Sequence, residues 1–536
     1  VSTATNIKLT SLNNGGPTMW DITSDTMTIM GTGAPFLESG ILVGTNSTID
    51  FTGNGAIITA SLNYNNLGLK PSGASQQVLG VGSFIVGGTL TIGDGTNAGV
   101  TAATFDPTVA VSGSTTIASG ATYTPGDGIV TLIGDLTVTG TISGSGTGDI
   151  EARGNVVGAG TINISGNTFE QRVAASQNFF TTSGTANWVF NNLTFSRSAG
   201  TPTITTQTGG SGSITINGTL LVSKTGDGAG TILNAGDVTW SLANSNSSDP
   251  FDTDQASGSL TANTSTFQYA GDNDGGSVTV ENAAYYNLVV GSANDAIAET
   301  YVLEGNTSIA SGAVLTIGNV ISGAVDTLDG SSYTLTLSGT GTPFVVTAQG
   351  DFSPATSTVT YAGCGGTLAG TTYNNVSLST GACYYTLPAS NITMRGDLTV
   401  ADSAHLAAGS GTVIFAKGGG GTQTITYGGG DVNFGPVQIS ANAGNTTLST
   451  AGNIRVASIL VDANQNLDIS GDTLTLTGNN VPFTLSGSNT FTVTGSTVNY
   501  AGTSLTIVNT TYNNLTISGS IPSIKTATAT VNGTML

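Results

Sequence analysis

Residues 471–520 read GDTLTLTGNNVPFTLSGSNTFTVTGSTVNYAGTSLTIVNTTYNNLTISGS. Thr473-Leu474-Thr475-Leu476 opens the stretch with strict alternation, and Pro482-Phe483 follows after a short Gly/Asn turn. Ser496-Thr497-Val498-Asn499-Tyr500-Ala501-Gly502 comes next, and Tyr512-Asn513-Asn514-Leu515-Thr516-Ile517 closes it. The same four-part order stands at Thr334-Leu335-Thr336-Leu337, Pro343-Phe344, Ser357 to Gly363 around Tyr361, and Tyr373-Asn374-Asn375-Val376. It stands again at Thr26-Met27-Thr28-Ile29, Pro35-Phe36, Ser47 to Gly53 around Phe51, and Tyr64-Asn65-Asn66-Leu67. A sequence that returns three times to one order is a repeat protein, and that decides its architecture before any motif does.

Working outward, a fourth copy runs through Trp240, Pro250-Phe251, Tyr269-Ala270-Gly271 and Tyr286-Asn287-Leu288. A variant closing strand stands at Trp188-Val189-Phe190-Asn191-Asn192, where Phe190 takes the Tyr place. Tyr361 to Tyr373 and Tyr500 to Tyr512 are both 12 residues, and Phe51 to Tyr64 is 13. Between copies the spacing is irregular: Tyr286 to Tyr373 is 87 residues and Tyr373 to Tyr512 is 139. Constant local spacing with elastic insertions suits stacked coils with variable loops. The chain divides into a first repeat unit (1–73), divergent coils (74–235), two further repeat units (236–330 and 331–400), divergent coils (401–470) and a last unit (471–536) that reads as incomplete.

No amphipathic helix of ten or more residues stands out, and the β-branched, Gly-rich composition disfavours one. Short alternating strands closed by Gly or Asn predict an all-β, elongated parallel β-solenoid, a right-handed β-helix of roughly 20 to 25 residues per coil. Tandem antiparallel β-sandwich domains are the competing architecture, with longer strands and a fixed module length. Asn and Gly tolerate left-handed backbone, so the Tyr-Asn-Asn motif and Gly502 are read as solenoid corners. Recurring at matched positions, Phe36, Tyr64, Phe344, Tyr361, Tyr373, Phe483, Tyr500 and Tyr512 are read as core rings stacking from coil to coil.

Strings such as Leu-Thr-Val-Thr-Gly-Thr-Ile at 136–142, Gly-Thr-Val-Ile-Phe at 411–415 and Thr-Tyr-Asn-Asn-Leu-Thr-Ile-Ser-Gly at 511–519 resemble those of large repetitive bacterial surface proteins. The likeness is to the adhesin and filamentous-haemagglutinin-like class, which implies a right-handed β-helix at the cell surface. It rests on strand patterns and carries over no functional residue.

The chain has 536 residues, of which 78 are Gly, and only 8% are charged. Its solvent face is therefore built from Thr, Ser and Asn. With 31 acidic and 10 basic side chains the formal charge is −21, a field that repels nucleic acid and anionic lipid. No apolar run reaches the roughly 18 residues of a membrane span. The first residues lack the features of a signal peptide, and residues 526–536 resemble the opening of another unit. Both ends are read as trimmed, and the protein as secreted or exposed on the cell surface. Cys364 and Cys383 follow neighbouring strands, which makes a disulfide sterically reasonable and favours an oxidising compartment.

Chemistry is sparse. His405 is the single histidine and is read as a surface residue. Arg153, Arg172, Arg197, Arg395 and Arg455, like Glu38, Glu151, Glu170, Glu281, Glu299 and Glu304, fall singly along the sequence. They form no carboxylate pair at a spacing that general acid/base catalysis would need. Asp249, Asp252 and Asp254, followed by Asp272 and Asp274 in an Asp-x-Asp-Gly string, form the densest acidic region. Calcium is the one cofactor it suggests, although ordinary turns use the same residues. Asn-x-Ser/Thr triplets, among them Asn46, Asn192, Asn375 and Asn514, arise from composition and sit inside repeat strands.

The expected function is structural and non-enzymatic: a subunit of an extracellular filament, sheath or surface layer. Its partner would be itself, head to tail, through strands such as Ile7-Lys8-Leu9-Thr10 and Thr528-Ala529-Thr530-Val531. An adhesin stalk, with host or cell-surface glycans as partners, is the alternative, and a polysaccharide-acting β-helix enzyme a minor one.

Overall fold

The computed structural model describes the chain except residues 1, 5–6, 10–18, 39–40, 61, 75, 175–176, 184–185, 207–211, 227–229, 245–248, 254–256, 272–274, 292–296, 319–323, 380, 418, 430, 442–443 and 520–528. Among the described residues every regular element is a strand and every strand pairing is parallel. The protein is a parallel β-solenoid, and the antiparallel sandwich architecture is excluded. No helix of the described residues is long and apolar enough to cross a membrane. By packing, the chain divides into two compact units, Val1–Asp272 and Asn273–Leu536.

In the first unit, Leu90–Ile92, Val100–Ala102 and Thr108–Val111 lie on three successive faces, and Thr115–Ile117 returns to the first, directly over Leu90–Ile92. The first face stacks twelve strands, from Ser2–Ala4 to Ser259–Thr261. Leu67 pairs with Leu90, Leu90 with Thr115, Thr115 with Leu136 and Leu136 with Val156, so these coils take 20 to 25 residues. Farther on they lengthen, and Thr203 pairs with Ile232 after 29. In the second unit one face stacks ten strands, from Ala284–Tyr285 to Thr490–Thr492.

The four-part repeat becomes a fixed piece of this stack. Thr334–Leu337 lies beneath Thr358–Tyr361, which lies beneath Asn375–Leu378. Thr473–Leu476, Thr497–Tyr500 and Asn514–Ile517 repeat the arrangement, as do Thr26–Ile29, Thr48–Phe51 and Asn66–Leu69. Period-two alternation turns Thr outward and Leu, Val or Tyr inward, and the burial of Thr334–Leu337 and Thr358–Tyr361 alternates accordingly. The Pro-Phe mark begins a strand on another face. Pro343, Pro482 and Pro250 accept the ladder bonds of Leu315, Ile459 and Leu220 through their carbonyls, at 2.8–2.9 Å. A proline at a strand's first residue has no N–H to leave unpaired.

Between the second and third strands the coil is shorter than expected from the sequence. Thr358 pairs with Asn375 and Thr497 with Asn514, 17 residues on, and Thr48 with Asn66 after 18. Phe36, Tyr64, Phe344, Tyr361, Tyr373, Phe483, Tyr500 and Tyr512 are all buried. In the short coil the Tyr361 and Tyr373 hydroxyls meet at 2.8 Å, and those of Tyr500 and Tyr512 at 3.0 Å. The pair grips the intervening turn. Ala369 donates its N–H to Tyr361 Oη (3.1 Å) and accepts from Tyr373 Oη (2.9 Å). Val508 is held in the same way by Tyr500 and Tyr512. The 12-residue spacing is thus the length of a turn that two hydroxyls can clasp.

Three expectations are corrected. In the fourth copy Tyr285, not Tyr286, holds the repeat position: its ring is buried and its hydroxyl donates to the Glu281 carbonyl at 2.9 Å, four residues back as in the other clasps. Alternation explains the shift, because the inward residue stands two before the corner Asn287, as Tyr373 stands two before Asn375. Second, the asparagines of Tyr-Asn-Asn do not supply left-handed corners; Asn46, Asn263, Asn464 and Asn480 do. Instead Asn66, Asn375 and Asn514 accept, through Oδ1, the backbone N–H of Thr89, Asp397 and Thr534 on the next coil, each at 2.9 Å. Gly88, Gly396 and Gly533 pass so close that a Cβ there would overlap the same Oδ1. Third, Gly502 does not lie in the left-handed region. A Cβ on it would overlap the Gly478 carbonyl oxygen, so coil-to-coil contact dictates that glycine.

Candidate functional site

The third face of the first unit brings a cluster of charged side chains together. Coil closure lays Ile150–Ala152, the C-terminal part of Thr161–Val173, that of Asn187–Arg197, and Leu220–Val222 side by side. Register puts Glu151 beside Glu170, Glu170 beside Thr194, and Arg172 beside Ser196. Strand alternation sends Glu151, Glu170 and Arg172 outward, while Thr194 and Ser196 are buried and Phe169, Leu193 and Phe195 fill the core.

Glu170 is the hub. Lys224 Nζ reaches its Oε2 at 3.2 Å, Arg172 Nη1 its Oε1 at 3.7 Å, and the Ser196 hydroxyl donates to Oε1. Beside it Arg153 pairs with Glu151. The Glu170 side chain is only 12% exposed, whereas Lys224 is 48% and Arg153 46% exposed. Residues that fall singly along the sequence therefore come together, which corrects that expectation. Their spacing is set by coil length, and no local pattern announces it.

Chemically the arrangement is an ionic brace. General acid/base work on a glycosidic bond needs two carboxylates, one to hold a proton and one to attack or activate water. Here Glu170 accepts hydrogen bonds from Lys224 and Ser196 and is ion-paired with Arg172, and Glu151 is tied to Arg153. The Glu151–Arg153 pair is the more exposed one, and pairs of that kind contribute about 0–1 kcal/mol.

No family model, curated protein or solved structure matches this chain. The remaining sequence-selected residues are therefore placed by geometry alone. Cys364 and Cys383 form a disulfide with Cα atoms 5.1 Å apart. Thr367 and Thr386 bridge two coils at the same 19-residue offset, so the bond staples one coil to the next in register. Asp249 is half-buried before Pro250, and Asp252 is buried in the strand Phe251–Asp252 beside Leu221. Asp254, Asp272 and Asp274 lie outside the described residues. In the second unit His405 stacks on Tyr384, centroids 4.3 Å apart, and its Nδ1 accepts the Asp431 N–H at 3.2 Å. Tyr384, one coil before it, is 64% exposed, in contrast to the repeat tyrosines. Ile7–Leu9 pairs with Phe36–Glu38, and Thr530–Val531 with Thr511–Tyr512.

Proposed function

We propose that the chain is a non-enzymatic structural segment of an extracellular or cell-surface protein: coils of a filament, sheath or surface layer, or of an adhesin stalk. The observation that carries this reading is how the coils distribute their side chains. Large rings point inward and stack, as Trp240 does on Phe267 (5.9 Å) and Phe267 on Phe251 (5.2 Å), while Thr occupies the outward places of the repeat strands. Such strand faces are polar but carry little charge, and they are repeated from coil to coil. The engagement of Glu151 and Glu170 in ion pairs supports a bracing role for the charged face. The Cys364–Cys383 bond supports an oxidising compartment, where disulfides persist.

The test is where the protein resides and in what form. Cells that make it should expose it to added protease while intact, and the isolated protein should show no free thiol until reduced. Recovery from the cytosol with two free thiols would overturn the reading. Sedimentation over a range of concentrations then separates its two forms: filament and layer subunits associate with themselves, and a stalk stays monomeric.

A further inference from the structure

The second unit carries a groove of about 430 Å³ at the corner where the short coil hands over to longer ones, a volume in the range of small-ligand sites. Three successive coils build it. The short coil supplies Asn374 and Asn375, the next Arg395 and Asp397, and the one after that Lys417. Backbone bonds from Arg395 to Tyr373, Gly396 to Asn374 and Ala416 to Met394 hold the three in step, at 2.8–2.9 Å. Thr356, from the coil before, completes the rim.

Its charge runs against the rest of the chain. Arg395 and Lys417 are two of only 10 basic residues in a chain of net charge −21. Lys417 is held in place, donating from Nζ to the Thr422 carbonyl at 2.6 Å. Asp397 accepts the Thr424 N–H at 2.8 Å and makes no ion pair with Arg395. Arg395 is exposed, and its guanidinium has no hydrogen-bond or ion-pair partner among the described residues. Every other described arginine except Arg455 is engaged through its side chain.

We infer that this groove binds a carboxylate-bearing sugar, a uronate or similar acidic saccharide. The guanidinium of Arg395 offers the planar, two-pronged donor that a carboxylate fits. Lys417 adds a second positive charge beside it. Asn374, Thr356 and Asp397 bring an amide, a hydroxyl and a carboxylate to the rim, the mixture that sugar hydroxyls require. Two cations against one carboxylate leave a single net positive charge, which matches one carboxylate. A multiply charged phosphate chain would meet the repulsion of the whole chain. The inference does not depend on the structural role proposed above, since a filament subunit, a stalk or an enzyme could each carry such a site.

The test titrates the full chain with glucuronate, glucose, acetate and inorganic phosphate by calorimetry or chemical-shift perturbation. Glucuronate is expected to bind with a Kd of about 1 mM or below, with glucose and acetate each at least ~10-fold weaker, since each lacks half of the recognised chemistry. Arg395→Gln should weaken glucuronate about 10-fold or more and leave the far-UV circular dichroism unchanged. Lys417→Gln should weaken it less, and Arg153→Gln in the first unit not at all. Should Arg395→Gln fail to fold, Lys417→Gln and the four-ligand comparison still decide. Absence of glucuronate binding, equal binding of glucose or acetate, tighter binding of phosphate, or full affinity in a folded Arg395→Gln variant would each overturn the assignment.

Discussion

Two copies of the short coil, 358–378 and 48–69, close the same turn of the solenoid with different chemistry. The first sets Tyr361 against Tyr373, hydroxyl to hydroxyl at 2.8 Å, and clasps Ala369 between them. In the second Phe51 has no hydroxyl, and Tyr64 donates alone to the Thr59 carbonyl at 2.7 Å. Yet the rings of Phe51 and Tyr64 meet at 6.4 Å and 76°, nearly as Tyr500 and Tyr512 do at 6.4 Å and 70°. Ring packing shapes the coil, and the hydroxyl pair adds a polar tie to its turn. The turn with one hydroxyl is also one residue longer.

Breaking the ring packing should therefore cost most and cost alike in both copies. Tyr373→Ala and Tyr64→Ala are each expected to destabilise their own coil by about 3–5 kcal/mol, the usual penalty of emptying an aromatic core site. Because solenoid coils contact only their neighbours, hydrogen exchange should accelerate within one or two coils of the change. Uniform acceleration along the chain would contradict a ring-by-ring core.

Breaking the hydroxyl tie should separate the copies. Tyr361→Phe leaves the Ala369 N–H without its acceptor, at a cost of about 1–3 kcal/mol. The reverse change, Phe51→Tyr, should also destabilise, because it buries a new hydroxyl in a coil where the Thr59 carbonyl already accepts from Tyr64. If Phe51→Tyr stabilises instead, the two turns are interchangeable and the comparison fails.

Alkali should sharpen it further. Burial pushes Tyr361 up to about 12, and burial together with the charge of an ionised Tyr361 holds Tyr373 well above the ordinary value. Burial, then the neighbouring phenolate, does the same for Tyr512. A folded-state pKa above the unfolded one gives stability that is complete below about pH 10 and is lost as pH rises through the folded value. Coil 358–378 should begin to open between pH 10 and about 12, and coil 497–517 should open as pH rises above about 10, followed by tyrosinate absorbance at 295 nm or by exchange. The double variant Tyr361→Phe, Tyr373→Phe should lose that pH dependence in its own coil.

The smallest effect should be the same everywhere. Asn66→Ala and Asn375→Ala each remove one acceptor for a backbone N–H of the next coil, a loss of about 0.5–1.5 kcal/mol by melting or exchange. Unequal costs would mean that the clasp and the asparagine ladder are coupled.

What could be read from the sequence was whatever depends on alternation. Thr334-Leu335-Thr336-Leu337 declares an inward and an outward face by itself, and its recurrence declares a stack. Pro343-Phe344 was legible as a recurring mark, and the structure makes it the start of a strand on another face. What depends on coil length could not be read, because register is a long-range quantity. Glu170 and Lys224 meet across 54 residues and Arg395 stands over Asn374 across 21, offsets that differ from coil to coil. Gln77 and Gln423 show the same blindness. Both are fully buried and donate to corner carbonyls of the preceding coil, Gln77 to Phe51 and Gly53, Gln423 to Met394 and Gly396. In the sequence they are two polar residues among many. The Tyr-to-Tyr spacing was visible but its meaning was not, since a clasp is a relation between hydroxyls and a peptide eight residues on.

The staple between Cys364 and Cys383 has a mechanical consequence. A stack whose coils touch only their neighbours yields to tension by peeling, one coil after another, each releasing its residues as slack. A covalent link between adjacent coils withholds the 18 residues between its ends, roughly 60 Å of extended chain. Pulled from either side, peeling would run up to that coil and pass it without lengthening the chain there. Reduction would restore the missing step, so the length of the protein under load would report the oxidation state of one pair of cysteines.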